Sequence, residues 1–165
     1  MSLKPVLIPS PERERWLDVH LPYRIRILCG LKIYKEQGGP KGPLLSVFPG
    51  IFESTLSTCR WASNFLGLYP WGNSLKQTAK RNFASDVFAV DLGGTLVDPA
   101  ALSINEYALL FSVLKGANVA SAHPVREGQH SMKWQDVDPA ASLLIQKIET
   151  HVYGVLKLIV PTWKP

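Results

Sequence analysis

The chain has 165 residues, 46% hydrophobic and 19% charged, with a formal net charge of +5. That is an ordinary globular balance and enough chain for one domain with a sizeable core. No apolar run approaches the ~20 residues a membrane-spanning helix needs, and two cysteines, Cys29 and Cys59, are too few for a disulfide framework.

The charge is unevenly placed. Residues 1–82 hold 12 Lys and Arg against 5 Asp and Glu, whereas residues 83–165 hold 6 against 8. A basic first half points to an anionic partner, either nucleic acid or lipid headgroups. The opening "MSLKPVLIPSPERER" has neither the apolar core of a secretion signal nor the Arg-rich, acid-poor character of a transit peptide. The expectation is a chain made soluble, with reduced thiols in a cytosolic or nuclear setting.

Taken in chain order, residues 1–11 contain Pro5, Pro9 and Pro11 and read as an extended arm, free to dock on a neighbouring subunit. Residues 12–165 then form a single globular domain. "ERERWLDV" (12–19) suits one or two helical turns. "YRIRILCGLKIY" (23–34) alternates: Ile25, Ile27, Cys29, Leu31 and Ile33 fall on one face, with Arg24, Arg26 and Lys32 on the other. Period 2 predicts a strand with one buried and one basic face. After a basic loop (35–43) and a short apolar run (44–48), Pro49 and Gly50 punctuate. Phe52, Leu56, Cys59, Ala62 and Phe65 then mark one helical face, with Gly67 as the stop. "LYPWGNS" (68–74) reads as a loop bringing Leu68, Tyr69 and Trp71 together, and Lys76, Lys80 and Arg81 follow it.

The words "VDPAA" occur at 97–101 and again at 137–141. In each, Asp caps a helix and Pro takes its first position. The first helix is expected to end near Lys115, before Gly116, with Ser103 and Glu106 offering a capping box one turn later. The second runs from Pro139 to about His151. The long connection between them holds one short strand near Trp134. "VYGVLKLIV" (152–160) is β-branched and predicts a closing strand. The fold class expected is α+β, mainly antiparallel sheet packed with two or three helices.

The sharpest chemical pattern is "DVFAVDLGGTLVDP" (86–99). It is similar to the strand end of haloacid-dehalogenase phosphatases, where two aspartates two residues apart serve as nucleophile and acid. Asp91 matches the first, but Gly93 stands where the second must be. It is also similar to the Asp-x-Gly-Gly-Thr phosphate loop of the sugar-kinase and actin superfamily, matched by Asp91, Gly93, Gly94 and Thr95. Only 67 residues follow Asp98, too few for either fold. Gly93 and Gly94 read instead as a hairpin turn that uses their positive φ. His20, His123, His130 and His151 lack metal-ligand spacing, and Cys59 sits on an apolar helix face. No catalytic residue, metal site, cofactor or small-molecule substrate is expected.

Two surfaces remain. One is basic: Arg24, Arg26, Lys32, Arg60, Lys76, Lys80 and Arg81. The other is apolar and suits self-association or a membrane interface: the arm with Pro5, Pro9 and Pro11, and the loop with Leu68, Tyr69 and Trp71. The layout of arm, "YRIRILCGLKIY", "FESTLSTCRWASNFL" and aromatic-basic segment resembles the small matrix proteins of plant-infecting rhabdoviruses over residues 5–115. The PPxY motif of animal-virus members is absent. The resemblance implies a structural protein of the virion or host cytoplasm, peripheral to membrane. Such a protein self-associates into a homo-oligomer or lattice and binds nucleoprotein–RNA or an anionic lipid surface. A small structural subunit of an organellar or ribosomal complex, and a degenerate phosphate-binding enzyme built on Asp91, Gly93, Gly94 and Thr95, are the alternatives.

Overall fold

The computed structural model describes residues 3–39, 46–122 and 134–161. Helices dominate these residues. They are α1 (Ser10–Arg15), α2 (Leu21–Leu28), α3 (Gly30–Glu36), α4 (Phe48–Phe65), α5 (Ile104–Ala122) and α6 (Trp134–Ile148). Two π-helical turns extend them: Trp16–His20 joins α1 to α2, and Glu149–Gly154 continues α6. Strands β1 (Leu68–Trp71) and β2 (Ser74–Gln77) form the one sheet among the described residues, an antiparallel pair. The fold is thus mixed α and β. The expected main sheet is reduced to this ribbon, and the helices build the core.

The clearest correction is the stretch 23–34, which is helical. Leu21, Ile25, Leu28, Leu31 and Tyr34 are all buried, and their steps of four and three are the helical period. Leu28 decides between the two readings. An alternating strand would send it to solvent beside Arg24 and Arg26, but it is 1% exposed. Residues 152–160 are corrected as well. Val152 and Tyr153 lie in the second π turn and are buried, and the chain beyond Lys157 runs on without strand pairing.

α4 follows its predicted face, with Leu56, Cys59, Ala62 and Phe65 buried and Phe52 packed at the edge. It starts at Phe48 and ends before Gly67, whose φ of 79° is the left-handed stop the sequence suggests. It packs against α2, α5 and α6, and so forms the centre of the core.

The two "VDPAA" words behave differently. Asp98 accepts a hydrogen bond from the Ala100 N–H at 2.9 Å, but it caps only a short 3₁₀ turn, Pro99–Ala101. α5 begins one turn later at the Ser103–Glu106 capping box and runs past Gly116 to Ala122. At 137–141 the word lies inside α6, which starts at Trp134, where a strand was expected. Pro139 there removes the N–H that the carbonyl of residue 135 would receive. Ion pairs fasten α6 to its neighbours: Lys35 to Asp138 and Lys147 to Glu106, each at 2.7 Å.

Candidate anion-binding surface

The glycine stretch is a structural clasp. Residues Ala89–Leu92 form a 3₁₀ turn, and Gly93 closes it at φ 87°. No hairpin forms there. Asp91 is 5% exposed and surrounded by donors. The Val6 N–H donates to Oδ1 at 2.7 Å and the Phe88 N–H to Oδ2 at 2.8 Å. The Arg81 guanidinium grips both oxygens, Nη1 reaching Oδ2 at 2.8 Å. Arg81 also donates to the carbonyls of Lys4 and Asp86 and lies over the Phe88 ring. A carboxylate so fully engaged has no lone pair to offer a phosphate.

The glycines are needed for closeness. A Cβ on Gly94 would come within 2.5 Å of the His151 carbonyl oxygen, and one on Gly93 within 3.1 Å of Arg13 and 3.2 Å of Leu156. The backbone thus lies flat on the second π turn. Thr95 completes the contact, its N–H donating to the His151 carbonyl at 2.8 Å and its hydroxyl meeting Nδ1 at 2.9 Å. Burial, with the Lys147 charge, holds the His151 imidazole below its usual pKa. The Asp91, Gly93, Gly94 and Thr95 tetrad therefore lines no open cradle.

This clasp also fixes the arm. Leu3 is buried, Val6 hydrogen-bonds Asp91, and Lys4 receives Arg81. The three prolines do not form one contact surface. Pro5 is exposed in the extended segment, Pro9 precedes α1, and Pro11 lies in its first turn. The arm packs on its own chain, with Leu7 left 93% exposed on the outer side.

The basic residues divide in the same way. Arg81 is spent on Asp91, its side chain only 15% exposed. Arg24 stacks on Trp61 at 5.3 Å, within a ladder where Trp61 lies near-parallel to both Trp16 and Phe65. Arg26 and Lys32 are exposed on α2 and α3, not together on one strand face, and Arg60 is half-buried on α4. Lys76 and Lys80 are exposed.

Lys76 belongs to a hairpin whose first strand and turn, residues 68–74, were expected to be a loop. Leu68–Trp71 and Ser74–Gln77 form a hairpin around Gly72 and Asn73, with Gly72 at φ 59° in the first central position. The signal was present in the Gly-Asn pair between two short β-prone runs. The inner face buries Leu68 and Leu75. The ribbon is bolted down: the Leu75 N–H donates to the Tyr107 hydroxyl at 2.8 Å, and the Gln77 amide to the Val97 carbonyl at 3.0 Å. Of the three aromatic-loop residues, Leu68 is core, Tyr69 is half-buried and Trp71 is 70% exposed at the tip. Phe83, which no sequence signal singled out, is 71% exposed.

Burial pushes the Cys59 thiol up to about 12 and also raises Cys29. Among the described residues no three His, Cys, Asp or Glu side chains converge as metal ligands; His123 and His130 lie outside those residues. A groove of about 480 Å³ between α2 and α4, lined by Ile27, Val47 and Ile51 with Ser46, Ser54 and Thr55, contains no ionisable side chain. No helix among the described residues is long and apolar enough to cross a membrane. Compared with models of known protein families, with characterised proteins and with solved structures, the chain matches none.

Proposed function

We propose that the chain is a non-catalytic assembly protein that docks on an anionic partner through the outward face of its hairpin. One observation carries this reading: a rigidly mounted hairpin presents Trp71 and Lys76 to solvent. The hairpin lies within a run of the chain, residues 54–85, that has no Asp or Glu. An exposed aromatic beside cations suits a wet, charged interface. Lys80 is exposed three residues beyond the hairpin, and Arg26 and Lys32 add long-range attraction. Copies associate through the outer side of the arm, where Leu7 projects. One such side chain contributes about 1.5–3 kcal/mol when buried, well short of the roughly 8 kcal/mol of a micromolar contact. Assembly of this kind works by repetition. A matrix-like coat on a nucleocapsid, inside a virion or at a membrane, is one setting for it. A subunit held by unlike partners in a larger complex is the other.

The test is retention on immobilised heparin as a generic polyanion, read as the salt needed for elution. The double variant K76E/K80E is expected to elute at clearly lower salt than the parent. Equal elution of the two would remove the hairpin from the docking surface.

A further inference from the structure

The outward face of the hairpin has a geometry that charge alone does not explain. β1 and β2 pair so that Tyr69 lies opposite Lys76 and Trp71 opposite Ser74. Directly opposed residues project from the same face of a ribbon. Tyr69, Trp71, Ser74 and Lys76 therefore share the face turned away from the core, and Leu68 and Leu75 fill the other. The two aromatics stand two residues apart on one strand, about 6.6–6.8 Å along it. Two nucleotide steps of a stacked strand cover nearly the same distance, at about 3.4 Å each.

The turn discriminates between two kinds of anionic partner. A loop that enters a bilayer interface carries apolar side chains at its tip. Here the tip is Gly72 and Asn73, both exposed, and the neighbours of Trp71 on the outward face are Ser74 and Lys76. Such a face cannot bury itself in acyl chains without taking polar groups along. It can accept flat rings one at a time, with a cation beside them for the linking phosphate. Lys80 is exposed three residues beyond β2, and residues 54–85 carry no carboxylate; Asp98, exposed beside the Val97 carbonyl that receives Gln77, is an acidic group close to the end of β2.

We infer that this face is a stacking platform for single-stranded nucleic acid. Trp71 and Tyr69 receive bases, and Lys76 and Lys80 receive the phosphates between them. Stacking uses the π-face that every base has, so recognition is tolerant of sequence. A duplex, whose base faces are already stacked, binds more weakly. The inference rests on the docking reading above and names its partner.

The probe is a fluorescein-labelled 20-nucleotide oligo-uridine, titrated with the full chain and followed by anisotropy. Trp71→Ala is expected to weaken binding about 5- to 150-fold, the loss typical of one stacked base. Trp71→Phe, which keeps a ring, is expected to stay within about threefold of the parent. Replacing Lys76 and Lys80 by Ala should flatten the slope of log K against log salt by about 1.4, from ~0.7 per phosphate contact on a single strand. Trp71 is 70% exposed, and a far-UV circular-dichroism spectrum checks that each variant is folded. Phosphatidylserine vesicles form the parallel arm. Vesicle binding that needs Trp71, without oligonucleotide binding, overturns the inference and leaves the docking reading standing. Oligonucleotide binding indifferent to Trp71→Ala also overturns it. Loss of both oligonucleotide and heparin binding in the parent chain overturns the inference and the reading together.

Discussion

Asp91 illustrates how one residue can look like chemistry and be architecture. Its carboxylate collects the Val6 and Phe88 N–H groups and the Arg81 guanidinium, tying the N-terminal arm to residues 81–91. A buried ion pair is costly to assemble but far more costly to break, since the remaining charge is stranded. Asp91→Ala is therefore expected to destabilise the fold by about 3–5 kcal/mol, read as a lowered urea midpoint. A shift below about 1 kcal/mol would mean that Arg81 finds water instead. The sequence showed Asp91 ending an apolar run beside two glycines, which is equally the look of a phosphate loop and of a tight clasp. What separates them is the partner, and Arg81 lies ten residues away with nothing in the local pattern to announce it. Gly93 and Gly94 were recognised as special backbone, but for a turn; the close approach of His151 depends on a contact across 57 residues.

At the level of elements, the sequence was most legible where one period was present and least where two overlapped. α4 has a single apolar stripe and was placed within a few residues. The stretch 23–34 carries both periods at once, because Ile25 and Leu31 satisfy an alternating and a helical pattern alike. Leu28 and Tyr34 belong only to the helix, and packing under α4 decides for it. Leu28→Ala is accordingly expected to cost about 2–5 kcal/mol, the usual range for a buried leucine, in the same urea assay. A surface-strand leucine would cost almost nothing. The hairpin was hidden for a different reason: its strands are four residues long, and Pro70 argues against a strand at first sight. Proline is tolerated because the ribbon has two edges, and the Tyr107 hydroxyl takes up the N–H of its partner Leu75. Pro139 misled in the opposite direction, since a proline that could open a helix here sits inside one.

On the scale of the whole molecule, the N-terminal arm is part of the fold rather than an appendage. It contributes Leu3 to the buried set and closes one side of the Asp91 clasp. Burying that leucine is worth about 1.5–3 kcal/mol, and a hydrogen bond to a carboxylate about 1.5–3 more. Removing residues 1–8 is thus expected to lower the melting temperature by about 6–24 °C, at roughly 2–4 °C per kcal/mol for a chain of this size. An unchanged melting temperature would return the arm to the role of a loose tether for other copies. Composition alone could not distinguish these, because three prolines make an extended segment whichever chain it lies upon.

The two π turns have a consequence for how this chain tolerates edits. Beyond Leu144 the buried positions Ile148 and Val152 follow at steps of four residues, whereas an α-helical turn holds 3.6. Each repeat therefore swings the buried stripe by about 40°, and a widened turn at Glu149–Gly154 absorbs the accumulated rotation. Adding or removing one residue there changes phase more than length. Everything after it is re-aimed, Leu156 away from Gly93 first, while the ladder upstream keeps its bonds. The other widened turn, Trp16–His20, is the place where the Tyr153 hydroxyl donates to the Leu17 carbonyl at 3.0 Å. The molecule keeps its angular slack at one spot, with each wide turn gripping the other, so an edit to either is felt at both ends of the chain.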